Sequence, residues 1–199
     1  MAEGGSFQLV AGHVALDFAN TLDNRYDPER VKDLLAGYED FVRFARQSVV
    51  IDDAQASRLR SLPTREKQAA LRTLRTVREL IERMFTAAVE GKTADPEDLA
   101  QFNAQLQKAL QHRTLVEERG AIHWEWSRLD RAALGPLWPI TLAAAELLTS
   151  ADLTKVRECS AETCRWLFLD LSKNHTRRWC DMKICGNRIK ARRYYQSHS

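Results

Sequence analysis

Apolar residues recur at three- and four-residue steps through most of the first 150 positions, the spacing of helices that bury one face. The clearest stripe runs through Leu71, Leu74, Val77, Ile81, Met84, Phe85 and Ala88, with Arg and Glu elsewhere, Pro63 at its opening and Gly91 past its end. Residues 31–47 repeat the pattern with Leu34, Leu35, Tyr38, Phe41, Val42 and Ala45, which predicts an amphipathic helix over that span. Val14, Leu16, Phe18 and Leu22 predict a short buried helix over 13–22, ended near Asp23 and Asn24. Asp52 and Asp53 supply an N-cap for a helix through Leu62, and Asp95-Pro96-Glu97 starts another that carries Leu99, Phe102, Leu106 and Leu110. Then the period changes. Residues 114–118 and 121–126 flank Arg119-Gly120, and Ile122, Trp124 and Trp126 alternate with His123 and Glu125, a β-hairpin signal. Residues 137–148 return to an apolar helix, with Pro139 tolerable in its first turn.

Residues 149–152 form the natural junction. The expected architecture is α+β: a mainly helical N-terminal domain with a small β-hairpin element over residues 1–152, followed by a small C-terminal unit over residues 153–199. No strand, Gly-rich loop and helix follow one another, so there is no nucleotide-binding fingerprint.

All four cysteines fall in that C-terminal unit. Cys159, Cys164, Cys180 and Cys185 form two matched pairs, C-x4-C-x15-C-x4-C, and the 158 residues before them contain none. Two short loops that each offer two thiolates are what a tetrahedral zinc site needs, so the reading is one structural Zn²⁺. Disulfides, or a redox or iron–sulfur use of the same thiols, are the alternatives. Met1–Ser6 has no basic stretch and no apolar run follows it, and no segment approaches a membrane span, which points to a cytoplasmic chain. His175 reads as a polar loop residue, since four cysteines already fill a tetrahedron. Between the pairs, residues 166–171 read as a strand, 172–174 as a turn and 176–179 as a returning strand. A helix-compatible basic run, 188–196, follows the last cysteine. Knuckle, hairpin and helix in that order describe a treble-clef zinc finger.

Charge sharpens the picture. Residues 153–199 hold eleven Lys and Arg against four Asp and Glu, a balance of +7, while the rest of the chain balances at −4. A Zn(Cys)4 centre contributes about −2 and leaves the tail positive, as for a module that meets a polyanion.

The segments Cys164-Arg165-Trp166-Leu167-Phe168-Leu169-Asp170-Leu171-Ser172-Lys173-Asn174, Arg177-Arg178-Trp179-Cys180-Asp181-Met182 and Cys185-Gly186-Asn187-Arg188 closely resemble the CGNR zinc-finger family. Its members join this finger to an N-terminal ABATE domain and are regarded as candidate stress-induced transcription regulators. Residues 12–21, from Gly12-His13 to Asn20-Thr21, resemble the opening of that domain. The resemblance implies a treble-clef finger that binds DNA and a body that binds an unidentified small ligand.

The residues themselves support the first half. On a helix, Arg188, Arg192 and Tyr195 share one face, and Asn187, Lys190 and Tyr194 the adjoining one. Arg and Asn suit base edges and Lys and Tyr suit phosphates; Arg177, Arg178 and Lys183 add backbone contacts, and Lys190, Arg192 and Arg193 are available to a partner. Structural duties compete: Asn187 as a cap or knuckle brace, Arg188 as a partner of Asp170 or Asp181, Gly186 for close approach to the metal, and Trp166, Phe168 and Trp179 as core. Asp17, Asn20 and Thr21 lie at helical spacing beside apolar residues and need partners, whether a ligand, backbone or a nearby Arg. They are the candidate ligand positions; His13 ranks below them. Trp124, Trp126 and Trp138 line a pocket or fill a core.

No nucleophile motif appears and a four-cysteine zinc has no open position, so the chain reads as not an enzyme. Two rivals remain beside DNA binding: RNA binding through the same surface, and a protein-interaction finger. A lone finger needs a homodimer or a second contact for useful specificity.

Overall fold

Local chemistry sets most helix ends. The Asp52 side chain accepts from the Gln55 N–H at 2.7 Å while Gln55 reaches back to the Asp52 N–H, a reciprocal cap that starts a helix at Asp53. Asp95 caps a later helix through Glu97 and Asp98, with Pro96 at the first helical position. At Gly91, φ is +68°; there the Lys92 and Gly91 N–H groups fold back onto Ala87 and Ala88 carbonyls and end the longest helix.

The computed structural model describes residues 5–197, apart from the side chains of Arg192, Arg193 and Ser197. In chain order its elements are α1 (Val14–Ala19), β1 (Leu22–Asp23), β2 (Lys32–Asp33), α2 (Tyr38–Gln47), α3 (Asp53–Arg60), α4 (Thr64–Val89), α5 (Pro96–Leu110), β3 (Arg113–Glu118) and β4 (Ala121–Trp126). Then follow α6 (Leu137–Thr149), a 3-10 turn, β5 (Val156–Glu158), β6 (Leu167–Leu169), a single π turn and α7 (Asn187–Ser197). The strands pair only as three antiparallel two-stranded ribbons, β1 with β2, β3 with β4 and β5 with β6. The fold is α+β, as its pattern predicts.

Two expectations are corrected. The helix expected over 31–47 begins only at Tyr38. Gly37 is extended and its N–H is held by the Asp40 carboxylate at 2.8 Å, while Asp33 is drawn off into β2 and clasped by buried Arg78 at 2.6 and 3.2 Å. Leu35 is buried all the same, from a loop. The strand expected over 176–179 does not form; β6 pairs instead with β5, upstream of the first cysteine.

The reason lies in α1. This short helix is buried almost throughout and packs against α4, α6 and β6. Phe18 meets Phe41 and Phe44 in the centre of the body. Just past its end, the Asn20 amide donates to the Leu167 carbonyl at 2.8 Å and accepts from the Leu167 N–H at 3.0 Å. Ala11 C=O takes the Leu169 N–H at 2.8 Å. The outer edge of β6 is therefore already satisfied, and a returning strand has nothing to pair with. Asp17 holds this arrangement from behind, its carboxylate accepting the Ala11 N–H at 3.0 Å. One apolar core accordingly runs from Phe7 through Phe85 to Phe168.

Asn20→Ala strands a buried N–H and a buried C=O on Leu167, so it should cost about 2–4 kcal/mol, read by urea unfolding. Burial pushes the Asp17 carboxyl up to about 6, against the pull of N–H groups from Ala11 and Val10. A folded-state pKa above the unfolded one means that the native state binds the extra proton. Stability should then fall as pH rises from about 4 to 6 and level off above, by about 1 kcal/mol between pH 5 and 7.5. Asp17→Asn should flatten that part of the profile.

Candidate metal centre

The first cysteine pair sits at the tip of the β5–β6 ribbon. Cys159 N–H bonds Trp166 C=O at 2.8 Å, and the Cys164 and Arg165 N–H groups both close onto Ala161 C=O. Arg165 takes φ +53° to complete the turn, and its guanidinium forks onto Glu158 at 2.8 and 3.0 Å. Of the second pair, Cys180 precedes the π turn Met182–Gly186 and Cys185 lies within it. There the Asp181 carboxylate accepts the Lys183 and Ile184 N–H groups at 2.6 and 3.0 Å, and its carbonyl accepts Cys185 and Gly186. Helix α7 starts one residue after this turn, so the last ligand and the helix are mechanically joined.

The four Sγ atoms lie within 4.8 Å of one another and all four cysteines are buried. Cys164 to Cys180 is 3.6 Å and Cys180 to Cys185 is 3.7 Å. Sulfurs at the corners of a zinc tetrahedron, with Zn–S near 2.3 Å, stand about 3.8 Å apart. The donor set therefore fits one structural Zn²⁺. Four buried thiolates need a cation to hold their charge together. His175 takes no part, its Nδ1 lying 2.9 Å from Asp170 C=O.

Around the sulfurs the sequence-predicted residues divide. Arg188 Nη2 donates to Cys185 Sγ at 3.3 Å, rather than to Asp170 or Asp181. Arg177 is spent on scaffold: it bonds the carbonyls of Val10, Trp179 and Cys180 and lies 4.5 Å over the Phe168 ring. Arg178, Lys183, Asn187, Arg188 and Lys190 are exposed together around the second knuckle and the start of α7. Arg192 and Arg193 lie in α7, with side chains outside the described residues. Trp166 and Phe168 are buried and Trp179 is half-buried, as core residues are. A Cβ on Gly186 would meet the Met182 thioether at 2.4 Å.

Asp17, Asn20 and Thr21 have their hydrogen bonds inside the protein. Asp17 and Asn20 serve the joint with β6, and Thr21 Oγ1 donates to Phe18 C=O at 2.7 Å. His13 caps α1 through Nδ1, and burial lowers its pKa so that the ring stays neutral and accepting. Sequence reasoning offered Asp170 only as a partner of Arg188 and missed its role in the turn. Fully buried, it accepts the Ser172 and Arg177 N–H groups at 3.0 and 2.9 Å; burial alone would raise its pKa, yet these bonds hold it below the usual carboxylate range. An acid closing an apolar run was the available signal.

Helical body, closed four-sulfur centre and appended helix define a zinc-finger protein. The profile of the ABATE family, described as "Putative stress-induced transcription regulator", matches residues 12–151, and that of the CGNR zinc finger matches residues 155–198. The chain belongs to the ABATE family and carries a CGNR zinc finger. Neither description is that of an enzyme. No curated protein sequence matches the chain. No helix among the described residues is long and apolar enough to cross a membrane.

Metal analysis of the purified chain should find one zinc, and Cys180→Ser should abolish it. Arg188→Ala should keep the stoichiometry while weakening zinc affinity by about 10- to 100-fold in a chelator competition. Acid should release the metal, because thiolates must be deprotonated to bind it.

Proposed function

We propose that this protein is a zinc-dependent transcription regulator whose C-terminal finger, residues 153–199, binds duplex DNA while residues 1–152 sense a small ligand. One observation carries the DNA reading: a helix that begins two residues after the last zinc ligand, carries Arg188, Lys190, Arg192 and Arg193, and contains no acid. At 1.5 Å per residue its eleven residues span about 16 Å, a length suited to the major groove. Asn187 and Arg188 at its start have the chemistry for base edges. Arg178, Lys183 and Lys190 stand where phosphates would flank them, and Arg177 is left out of this role. In this reading the Arg188–Cys185 contact orients a base-reading side chain from the metal centre.

The reading takes the chain to act in the cytoplasm, where thiols stay reduced and available to zinc. Few contacts per finger argue for a homodimer on two half-sites. The exposed rings of Tyr194 and Tyr195 favour a second reading, stacking on bases of single-stranded RNA.

Zinc-loaded protein titrated with random duplex DNA, duplex RNA and single strands over a salt series distinguishes these. Duplex DNA should bind best, with a log–log salt slope of about −4 for four or five phosphates, and a chelator should abolish binding. Lys190→Ala should reduce that slope by about one, and Asn187→Ala should relax sequence preference by about 1–3 kcal/mol. Preference for single strands would transfer the finger to RNA. No binding at low salt would leave a protein-interaction finger.

A further inference from the structure

A cavity of about 460 Å³ opens on the helical body, between α4, the end of α5, the turn after β4 and the start of α6. Its size falls in the range of small-molecule sites, roughly 300–1,000 Å³. Ala70, Ala133, Leu134 and Trp138 give it an apolar floor, and three cations, Lys108, Arg128 and Arg131, stand at its walls against the single acid Glu66. Among the described residues, no hydrogen bond or ion pair engages the side chains of those three cations. Asp130, the acid between the two arginines, is turned away onto Arg58.

The wall is stiff. Arg128 sits at φ +60°, a conformation that costs a residue with a side chain free energy, and the Arg131 and Ala132 N–H groups close onto its carbonyl. The chain then doubles back so tightly that a Cβ on Gly135 would lie 1.9 Å from Leu129 O. Opposite, the His112 ring stacks on Trp138 at 3.6 Å and 9°, and both Ser127 N–H and Oγ bond the His112 carbonyl. Burial first, then the charge of Arg128, lowers the His112 pKa, which leaves a neutral ring able to hydrogen-bond.

We propose that this cavity binds a small organic anion, a carboxylate on a flat apolar body, with Arg128 and Arg131 holding the carboxylate and Trp138 walling the apolar part. Planar guanidinium forks match a carboxylate, and the alanine floor leaves room for a ring. The proposal deepens the sensing reading and rests on it only for its consequence. The route to the finger is short: α6 carries Trp138 in its first turn and leads through the 3-10 turn to β5, while α4 packs against β5 and β6.

The test uses the zinc-loaded full chain in calorimetric titrations with benzoate, 2-naphthoate and indole-3-carboxylate. The neutral 2-naphthylmethanol and inorganic phosphate serve as comparisons. At least one carboxylate should bind one-to-one, about tenfold tighter or more than the alcohol or phosphate. Arg128→Ala/Arg131→Ala, both exposed and outside the zinc site, should weaken it by about tenfold or more with zinc content and circular dichroism unchanged. Ala69→Trp, which fills the cavity from the exposed face of α4, should do the same. No saturable binding by any of the three carboxylates, equal affinity in the double variant, or phosphate binding as tightly would each overturn the site. DNA affinity with and without saturating carboxylate reads the sensing separately. A changed affinity supports the coupling; an unchanged one removes the sensing and leaves the site standing.

Discussion

Strand β6 is three residues long, buried on every side, and has two edges of backbone to satisfy without water. β5 serves one edge. The other is served by the Asn20 amide, whose oxygen and nitrogen meet the N–H and C=O of Leu167 as a neighbouring strand would, and by Ala11. An unpaired buried backbone group costs about as much as several good contacts contribute, so this docking decides where the finger can sit. Asp17 positions Ala11, Gly12 turns at φ +73° beside Leu169, and Arg177 reaches back to the Val10 carbonyl. Val10, Ala11, Gly12, Asp17 and Asn20 all lie on a short stretch around α1. The opening of the chain is shaped to receive its end.

That joint also explains how so small a finger acquires a fold. Two knuckles and a three-residue strand enclose little apolar volume, and units of this size rely on a metal or on a neighbour. Here both contribute. Zinc gathers the four thiolates and carries the second knuckle into α7, while Phe168 and Leu167 add to the core of the body. The cationic helix is thereby held at one end by the metal centre, with its polar surface turned to solvent.

The two ends of the molecule use charge in opposite ways. Inside the body, Arg78 clasps Asp33, and Arg25 pairs with Glu79 and Glu82, so buried charge is neutralised locally. Among the described residues, Arg188 and Lys190 at the start of α7, and Lys108, Arg128 and Arg131 around the cavity beside Trp138, stand without an acidic partner in contact, and such charge is available to something outside the chain. The ABATE family match concerns the body and the CGNR match concerns the finger. The physical joint between them lies at Asn20 and Leu167.

The zinc ligands were legible in the sequence because chelation imposes spacing, and spacing survives in one dimension. The amphipathic helices, their Asp caps and the Arg119-Gly120 hairpin were legible for the same reason: each is a local rule whose partners lie within a few residues. What escaped were contacts between distant segments. Leu34 and Leu35 fit the period of a helix, yet Arg78, forty-odd residues on, pulls Asp33 out of it. Residues 176–179 looked like a returning strand until α1 had taken the edge they needed. Asn20, Thr21 and Arg177 read as candidates for outside partners, and tertiary packing gave each an internal one. Lys108, Arg128 and Arg131 are unremarked in the sequence, since nothing local brings them to one cavity. Pattern determines which elements form; only the folded chain decides which polar groups remain unspent.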